Sequence, residues 1–230
     1  MPRTEAALDA ILSSLLEQRS PLGLRGGAGQ RDGAGRPVTR GGARRPVRPL
    51  PPLADGAATT VHRVAVTLTG SRPSVWRRLE VPSDLPLSVL HEVLQTAFGW
   101  FDCHPHQFET PCGEFGDPAQ DDFWTIRRDE CTAAVAQVAP AARDKLGYLY
   151  DFGASWRHDL AVEAITAATP GTRYPRCTAL RGAPPDEDSG GIRAFNSLFQ
   201  HGPSPSPADL TDALAGLAGV VVPAAAKPGR

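Results

Sequence analysis

Residues 61–100, VHRVAVTLTGSRPSVWRRLEVPSDLPLSVLHEVLQTAFGW, decide the fold. The first ten alternate, with Val64, Val66 and Leu68 on one face, which is the period of a half-buried strand. Gly and Pro between positions 70 and 74 supply a turn. The next run places Val75, Leu79 and Val81 on one face and Trp76, Arg78 and Glu80 on the other. Two such runs with a short turn between them predict an antiparallel hairpin. The period then changes to that of a helix. Leu87, Leu90, Val93, Leu94 and Phe98 form one stripe, with Ser83 or Asp84 as cap, Pro86 in the first turn and Gly99 as the stop. His91 lies beside that stripe and reads as a structural residue on the helix flank.

Downstream, HPHQFET predicts a strand entered through Pro105, and DFWTI a further short strand. Residues 131–138 predict one or two helical turns, residues 146–152 and 156–165 two strands, and residues 191–200 and 207–217 two helices. Strands and helices do not alternate strictly. The expected fold class is therefore α+β, a compact mixed domain of antiparallel hairpins packed by helices.

The stretch YLYDFGASWRH, residues 148–158, reads as a hairpin. A three-residue loop over 153–155 sets Phe152 opposite Trp156, Tyr150 opposite His158 and Tyr148 opposite Leu160, all on one face. Asp151 then faces Arg157 on the other side as an ion pair. Packing accounts for the aromatic density, while the His158 imidazole needs a hydrogen-bond partner among the rings or must stay neutral.

Charge divides the chain. Up to Ala54 there are nine Arg against four acids; beyond it, fifteen bases face twenty-one acids. Residues 1–22 predict an amphipathic helix, with Leu8, Ile11, Leu12, Leu15 and Leu16 on one face. Residues 23–60 read as a disordered basic linker, too poor in apolar surface to offset the entropy of ordering it. Arg25, Arg31, Arg36, Arg40, Arg44, Arg45 and Arg48 are its candidates for nucleic-acid contact. GC-rich coding bias is the plainer source of the same composition. The domain is expected over 61–220 and a flexible tail over 221–230. There is no signal-peptide pattern, no membrane-length apolar run and no C-x-x-C pair, so a cytoplasmic protein with reduced thiols is expected.

Enzyme signatures are sparse. Walker A, G-x-G-x-x-G and G-x-S-x-G patterns are absent, and no cofactor is implied. His104 and His106 form an H-x-H pair that a strand would present on one face; with His158, Asp151 or Cys177 they are candidate metal ligands. Asp186, Glu187 and Asp188 lie in a Pro/Gly setting that reads as a solvated loop, a helix cap or a partner for the basic arm.

Four blocks carry a resemblance: VWRRLEVPSDLPLSVLHEVLQTAFGW, HPHQFE, YLYDFGASWRHDL and YPRCTALRGAPPDEDSGG. In this order they resemble the plasmid pRiA4b open-reading-frame-three-like family, over residues 61–217. The resemblance implies a compact α+β domain associated with plasmids and mobile elements, and it implies no reaction. The family shows Asp-Gly where this chain has Ala154 and Ser155, and Cys near Cys177, Ala183 and Ser189, of which only Cys177 stands here. A thiolate metal site from that cluster is thereby not expected.

The expected function is a non-enzymatic binding module for a protein or nucleic-acid partner, with no membrane. Its surface would be a groove flanked by Trp76, Arg78, Trp100, His104, His106, Trp156 and His158, joined by Asp151. The alternatives are a metal-dependent enzyme using His104 and His106, and a DNA-associated accessory protein with a nonspecific basic arm.

Overall fold

The structure, a computed structural model, describes residues 47–56, 59–120, 127–198, 202–217 and 220–221. The expected N-terminal helix, most of the basic linker with Arg25, Arg31, Arg36, Arg40, Arg44 and Arg45, the DFWTI strand and most of the tail lie outside these residues.

The hairpin at the start of the domain forms as its alternation requires. Strand β1, Thr60–Leu68, pairs antiparallel with β2, Trp76–Pro82, setting Val64 opposite Leu79 and Val66 opposite Arg77. Helix α1, Leu87–Phe98, follows and ends at Gly99, whose left-handed φ of 68° is freely open to glycine. Its start differs from expectation. Pro86 occupies the N-cap position and no side chain caps the helix. The Ser83 hydroxyl is taken by the buried His62 Nδ1 at 2.8 Å and by the Thr60 hydroxyl at 2.7 Å.

The remaining strands are β3, His106–Thr110; β4, Gly113–Gly116; β5, Arg128–Asp129; β6, Lys145–Tyr150; β7, Trp156–Ala167; β8, Arg173–Tyr174; β9, Arg176–Arg181; and β10, Val220–Val221. Eight form one mixed sheet in the order β5-β4-β3-β6-β7-β1-β2-β9, in which only the β4–β5 pair is parallel. β8 and β10 make a separate antiparallel pair. Helices α2, Val135–Val138, α3, Gly191–Ser197, and α4, Pro207–Leu214, complete the described elements with two 3-10 turns, Pro118–Gln120 and Glu130–Thr132. The architecture is α+β.

One face of the sheet is buried. Val64, Val66, Leu79, Phe108, Tyr148, Tyr150, Trp156 and Leu160 pack with Leu87, Leu90, Leu94 and Phe98 of α1 in one core. The other face carries cross-strand ion pairs: Glu80 with Arg63 and Arg176, Arg78 with Glu163, and Arg157 with Glu109. The Arg78–Glu163 and Arg157–Glu109 pairs are partly solvated and contribute at most about 1 kcal/mol each, whereas Glu80 is itself buried beneath its two arginines.

The β6–β7 turn corrects the expected register. Tyr150 pairs with Trp156, Tyr148 with His158 and Leu146 with Leu160, leaving residues 151–155 as the turn. Asp151 and Ser155 adopt left-handed φ of 53° and 56°, and the Ser155 amide donates to the Asp151 carbonyl at 2.6 Å. Phe152 falls in the turn and is exposed. Leu149 stands opposite Arg157, so the expected Asp151–Arg157 pair does not form. Residues 47–52, expected as part of the linker, are tied to the domain. The Arg48 amide donates to Pro111 O, and Gln137 Nε2 donates to Pro51 O.

Candidate metal centre

Two periodicities bring two histidines together. On α1 the buried positions include Leu87, His91, Leu94, Gln95 and Phe98, so His91 belongs to the stripe rather than beside it. On β3, His106 and Phe108 are buried while Gln107 and Glu109 point away. Because α1 packs over the sheet, the two imidazoles stack with centroids 3.5 Å apart and planes 6° from parallel.

Each ring is held by a carboxylate. His106 Nε2 donates to Glu130 Oε2 at 2.8 Å, and His91 Nε2 meets Asp102 Oδ1 at 2.9 Å. Tyr148 fixes the His91 tautomer. Its hydroxyl accepts from Gln95 Nε2 at 2.9 Å, so its own proton goes to His91 Nδ1 at 2.8 Å, and His91 Nε2–H is left for Asp102. Burial pushes the Tyr148 pKa well up, which keeps that proton in place. His106 Nδ1 is the nitrogen left over, buried and without a hydrogen-bond partner.

A ligand atom from each of His91, Asp102 and His106 lies within 4.8 Å of the other two. Asp102 is the outward member, with its side chain 52% exposed against 6% for His91. Its left-handed backbone, φ 55°, is braced by its amide donating to Gln95 Oε1 at 3.0 Å. Two imidazoles and one carboxylate suit a borderline divalent ion of the zinc class. Glu130 already makes the hydrogen bond that orients a ligating histidine, His106. With the rings parallel, their in-plane lone pairs run side by side. A shared ion therefore requires the rings to tilt toward each other, Asp102 to release His91 Nε2, and the His91 proton to move from Nε2 to Nδ1, with Tyr148 then accepting it.

The segment carrying Asp102 is clamped by the acidic loop, which is not simply solvated. Glu187 is buried, and its carboxylate accepts from the Phe101 amide at 3.2 Å and from the Tyr150 hydroxyl at 2.6 Å. Burial, then the Glu187 carboxylate, raises the Tyr150 pKa. Trp100 Nε1 donates to Pro185 O and Trp156 Nε1 to Glu187 O.

The expected surface groove does not assemble. Trp100, His106, Trp156 and His158 are buried. Trp76 and Arg78 lie on the opposite face of the sheet, Arg78 being paired with Glu163. The H-x-H pair separates because the strand begins at His106; His104 stays outside it and donates from Nε2 to Asp188 Oδ1 at 2.9 Å. Asp151 caps its own turn by accepting from the Gly153 amide at 2.8 Å. Cys177 is buried, and all four cysteines are free thiols. His158 stands edge-on to Phe98 at 4.5 Å and Trp100 at 5.3 Å, and neither ring nitrogen has a hydrogen-bond partner of good geometry. Burial drives its pKa down to about 3, opposed in part by the backbone of Trp156 and Tyr148.

The sequence reading missed His91, Asp102 and Glu130 as a group with His106. The usable signal was the spacing of Leu87, His91 and Gln95 at successive fours, which puts His91 on the buried face.

Residues 60–214 match the family described as Plasmid pRiA4b ORF-3-like protein. Uncharacterized protein y4hQ of Sinorhizobium fredii (strain NBRC 101917 / NGR234) is 38% identical over 146 residues, covering 61% of this chain and 72% of that protein. The crystal structure of MM3350, a protein of unknown function from Methanosarcina mazei Go1, is similar with a TM-score of 0.53 and 28% identity, covering 59% of this chain and 77% of that one.

Proposed function

This chain belongs to the Plasmid pRiA4b ORF-3-like protein family, and within that fold we propose that the domain binds a divalent transition-metal ion through His91, Asp102 and His106. The observation that carries this reading is His106 Nδ1. It is a buried nitrogen with no partner, on a ring whose other nitrogen is already committed to Glu130. A buried acceptor left bare costs about 1–3 kcal/mol, and a metal ion is a partner small enough to reach it. The other metal reading, built on His104 and His106, lacks this support because His104 is bonded to Asp188.

Three protein ligands leave a coordination position free, and the half-exposed Asp102 marks the side on which solvent reaches it. That arrangement favours a reactive metal over a closed structural one. A zinc-class ion so held would supply a bound water whose pKa is lowered to about 7. The chain's own residues hold the ligands: Glu130 fixes His106, Tyr148 fixes His91, and the Glu187 loop holds the backbone beside Asp102.

The test is metal analysis of the purified full chain, with Co2+ titration followed by visible absorption. One equivalent per chain is expected, lost in His106→Ala and Asp102→Ala and weakened 10- to 100-fold in Glu130→Gln. Because Asp102 is half-exposed, Asp102→Ala is expected to keep the fold, as checked by circular dichroism. Failure of the full chain to take up metal, or undiminished uptake by both alanine variants, overturns the proposal.

A further inference from the structure

Gln95 lies one turn along α1 from His91, and both are buried. The helix ends just beyond it. Gly99 turns the chain back, and the Trp100 amide donates to Gln95 O at 2.9 Å. That reversal carries Asp102 over the Gln95 side chain, where the Asp102 amide donates to Gln95 Oε1 at 3.0 Å. A backbone amide can only donate, so this bond fixes which end of the Gln95 carboxamide is oxygen. Its Nε2 is left to donate to the Tyr148 hydroxyl at 2.9 Å.

Four hydrogen bonds thereby close into a ring with a single sense. The Asp102 amide donates to Gln95, Gln95 to Tyr148, Tyr148 to His91 Nδ1, and His91 Nε2 to the Asp102 carboxylate. In this sense the ring opposes an ion twice. His91 Nε2 carries a proton where a metal needs a lone pair, and the Asp102 backbone is tied where its carboxylate meets that proton. Metal at Nε2 requires the opposite sense. His91 then holds its proton on Nδ1 and donates it to the Tyr148 oxygen. Tyr148 is buried, and among the described residues its hydroxyl bonds to His91 and Gln95 alone, so its own proton has to go to Gln95. Gln95 accepts that proton only with its carboxamide turned over, Oε1 toward Tyr148 and Nε2 toward the Asp102 amide. Two donors then face each other, and the bond to Asp102 is lost. No net proton moves: His91 and Tyr148 keep one each.

We infer that Gln95 is a positioning residue that couples metal uptake to release of the segment carrying Asp102. Turning its carboxamide frees His91 Nε2 and unties the Asp102 backbone together, the two changes that a shared ion requires of this side of the site. Gln95 acts through Tyr148 and Asp102 and is not itself a ligand. The inference rests on the metal reading proposed above and adds to it how the site passes from its empty to its loaded form.

The experiment uses the full chain labelled with 15N and Zn2+ as the probe. Imidazole NMR reads the His91 tautomer without metal, and hydrogen exchange reads the Asp102 amide with and without saturating Zn2+. The parent without metal is expected in the Nε2–H form. Zn2+ should speed exchange at the Asp102 amide at least about tenfold, since one hydrogen bond is lost. Tyr148→Phe keeps the bond from the Asp102 amide to Gln95 and removes the hydroxyl that forces Gln95 to turn, so Zn2+ should no longer change that exchange. Gln95→Glu, at a pH where the new carboxyl is ionised, offers acceptors to both the Asp102 amide and Tyr148. Without metal it should swap His91 to the Nδ1–H form, a change that loosened packing alone would not produce. An Nδ1–H tautomer in the metal-free parent, an unchanged tautomer in Gln95→Glu, or the same exchange response to Zn2+ in Tyr148→Phe as in the parent overturns this inference and leaves the metal reading standing. Failure of the parent to take up Zn2+ overturns both.

Discussion

His158→Phe is the sharpest test of how the core is built. The imidazole is fully buried between Phe98, Trp100 and Tyr148, with both nitrogens unpaired, and its pKa lies near 3 against an ordinary 6.5. Between those values the unfolded chain carries a proton on this residue that the native chain refuses. The unfolded state therefore binds more protons, and stability falls as pH falls. The contribution is complete above pH 6.5 and is lost on acidification toward pH 3, with a limiting slope of about 1.4 kcal/mol per pH unit. Between pH 7 and pH 5 this one residue should remove about 2 kcal/mol. Phenylalanine has nearly the same shape and no proton to take up. The assay is urea unfolding of parent and variant at pH 7, 6 and 5, followed by tryptophan fluorescence. The buried His62, whose pKa is lowered chiefly by burial, titrates in both proteins and cancels in the difference. The variant should gain about 2 kcal/mol relative to the parent over this range. Two stability curves that stay parallel from pH 7 to pH 5 would refute the reasoning, because His158 would then be reaching water or a partner in the folded state.

Three further predictions concern polar and strained positions. Arg77 is fully buried, and its guanidinium donates to the carbonyls of Ala97, Trp76, Arg181 and Gly182, tying the end of α1 to the end of β9. Burial lowers its pKa to about 10, which leaves it charged at neutral pH, and Arg77→Met, by stranding those carbonyls, should cost roughly 2–4 kcal/mol in urea unfolding. At the start of α3, which packs against the β6–β7 turn, Gly191→Ala would set a Cβ 2.6 Å from the Ala154 carbonyl at a φ of +85° and should lower stability by more than about 2 kcal/mol. Ser155→Gly in the same turn should raise stability by up to about 1 kcal/mol in thermal or urea unfolding, since it relieves a left-handed serine.

What the sequence disclosed and what it hid follow from the same property of a periodic chain. A period of two fixes the face on which a strand residue lies, but not the partner across the ladder. Tyr148, Tyr150, Trp156 and His158 were therefore placed on the correct face, while every cross-strand pair in that hairpin was set wrongly. The turn is longer than the expected three residues because Asp151 and Ser155 leave the ladder with left-handed backbones, a conformation their residue types do not announce. The candidate site was hidden for a different reason. His91 and His106 are each assigned inward by their own element, but their stacking depends on α1 crossing β3, which no local pattern specifies. Polarity misled where it competed with period. Arg77 lies between Val75 and Leu79, His106 two residues before Phe108, and His158 two residues before Leu160, all on core-facing positions. At each of them the period prevailed and the polar group was carried into the core. There Arg77 is spanned by carbonyls, His158 remains neutral among rings, and His106 keeps one nitrogen bare. Packing accounts for Arg77 and His158, although Arg77 Nη2 and both His158 nitrogens also lack partners, since neither residue belongs to a cluster of possible metal ligands among the described residues. It does not explain a nitrogen whose ring has been oriented by Glu130 and then left without a partner. That is why the metal reading rests on His106 rather than on His158, the residue that the sequence alone made conspicuous.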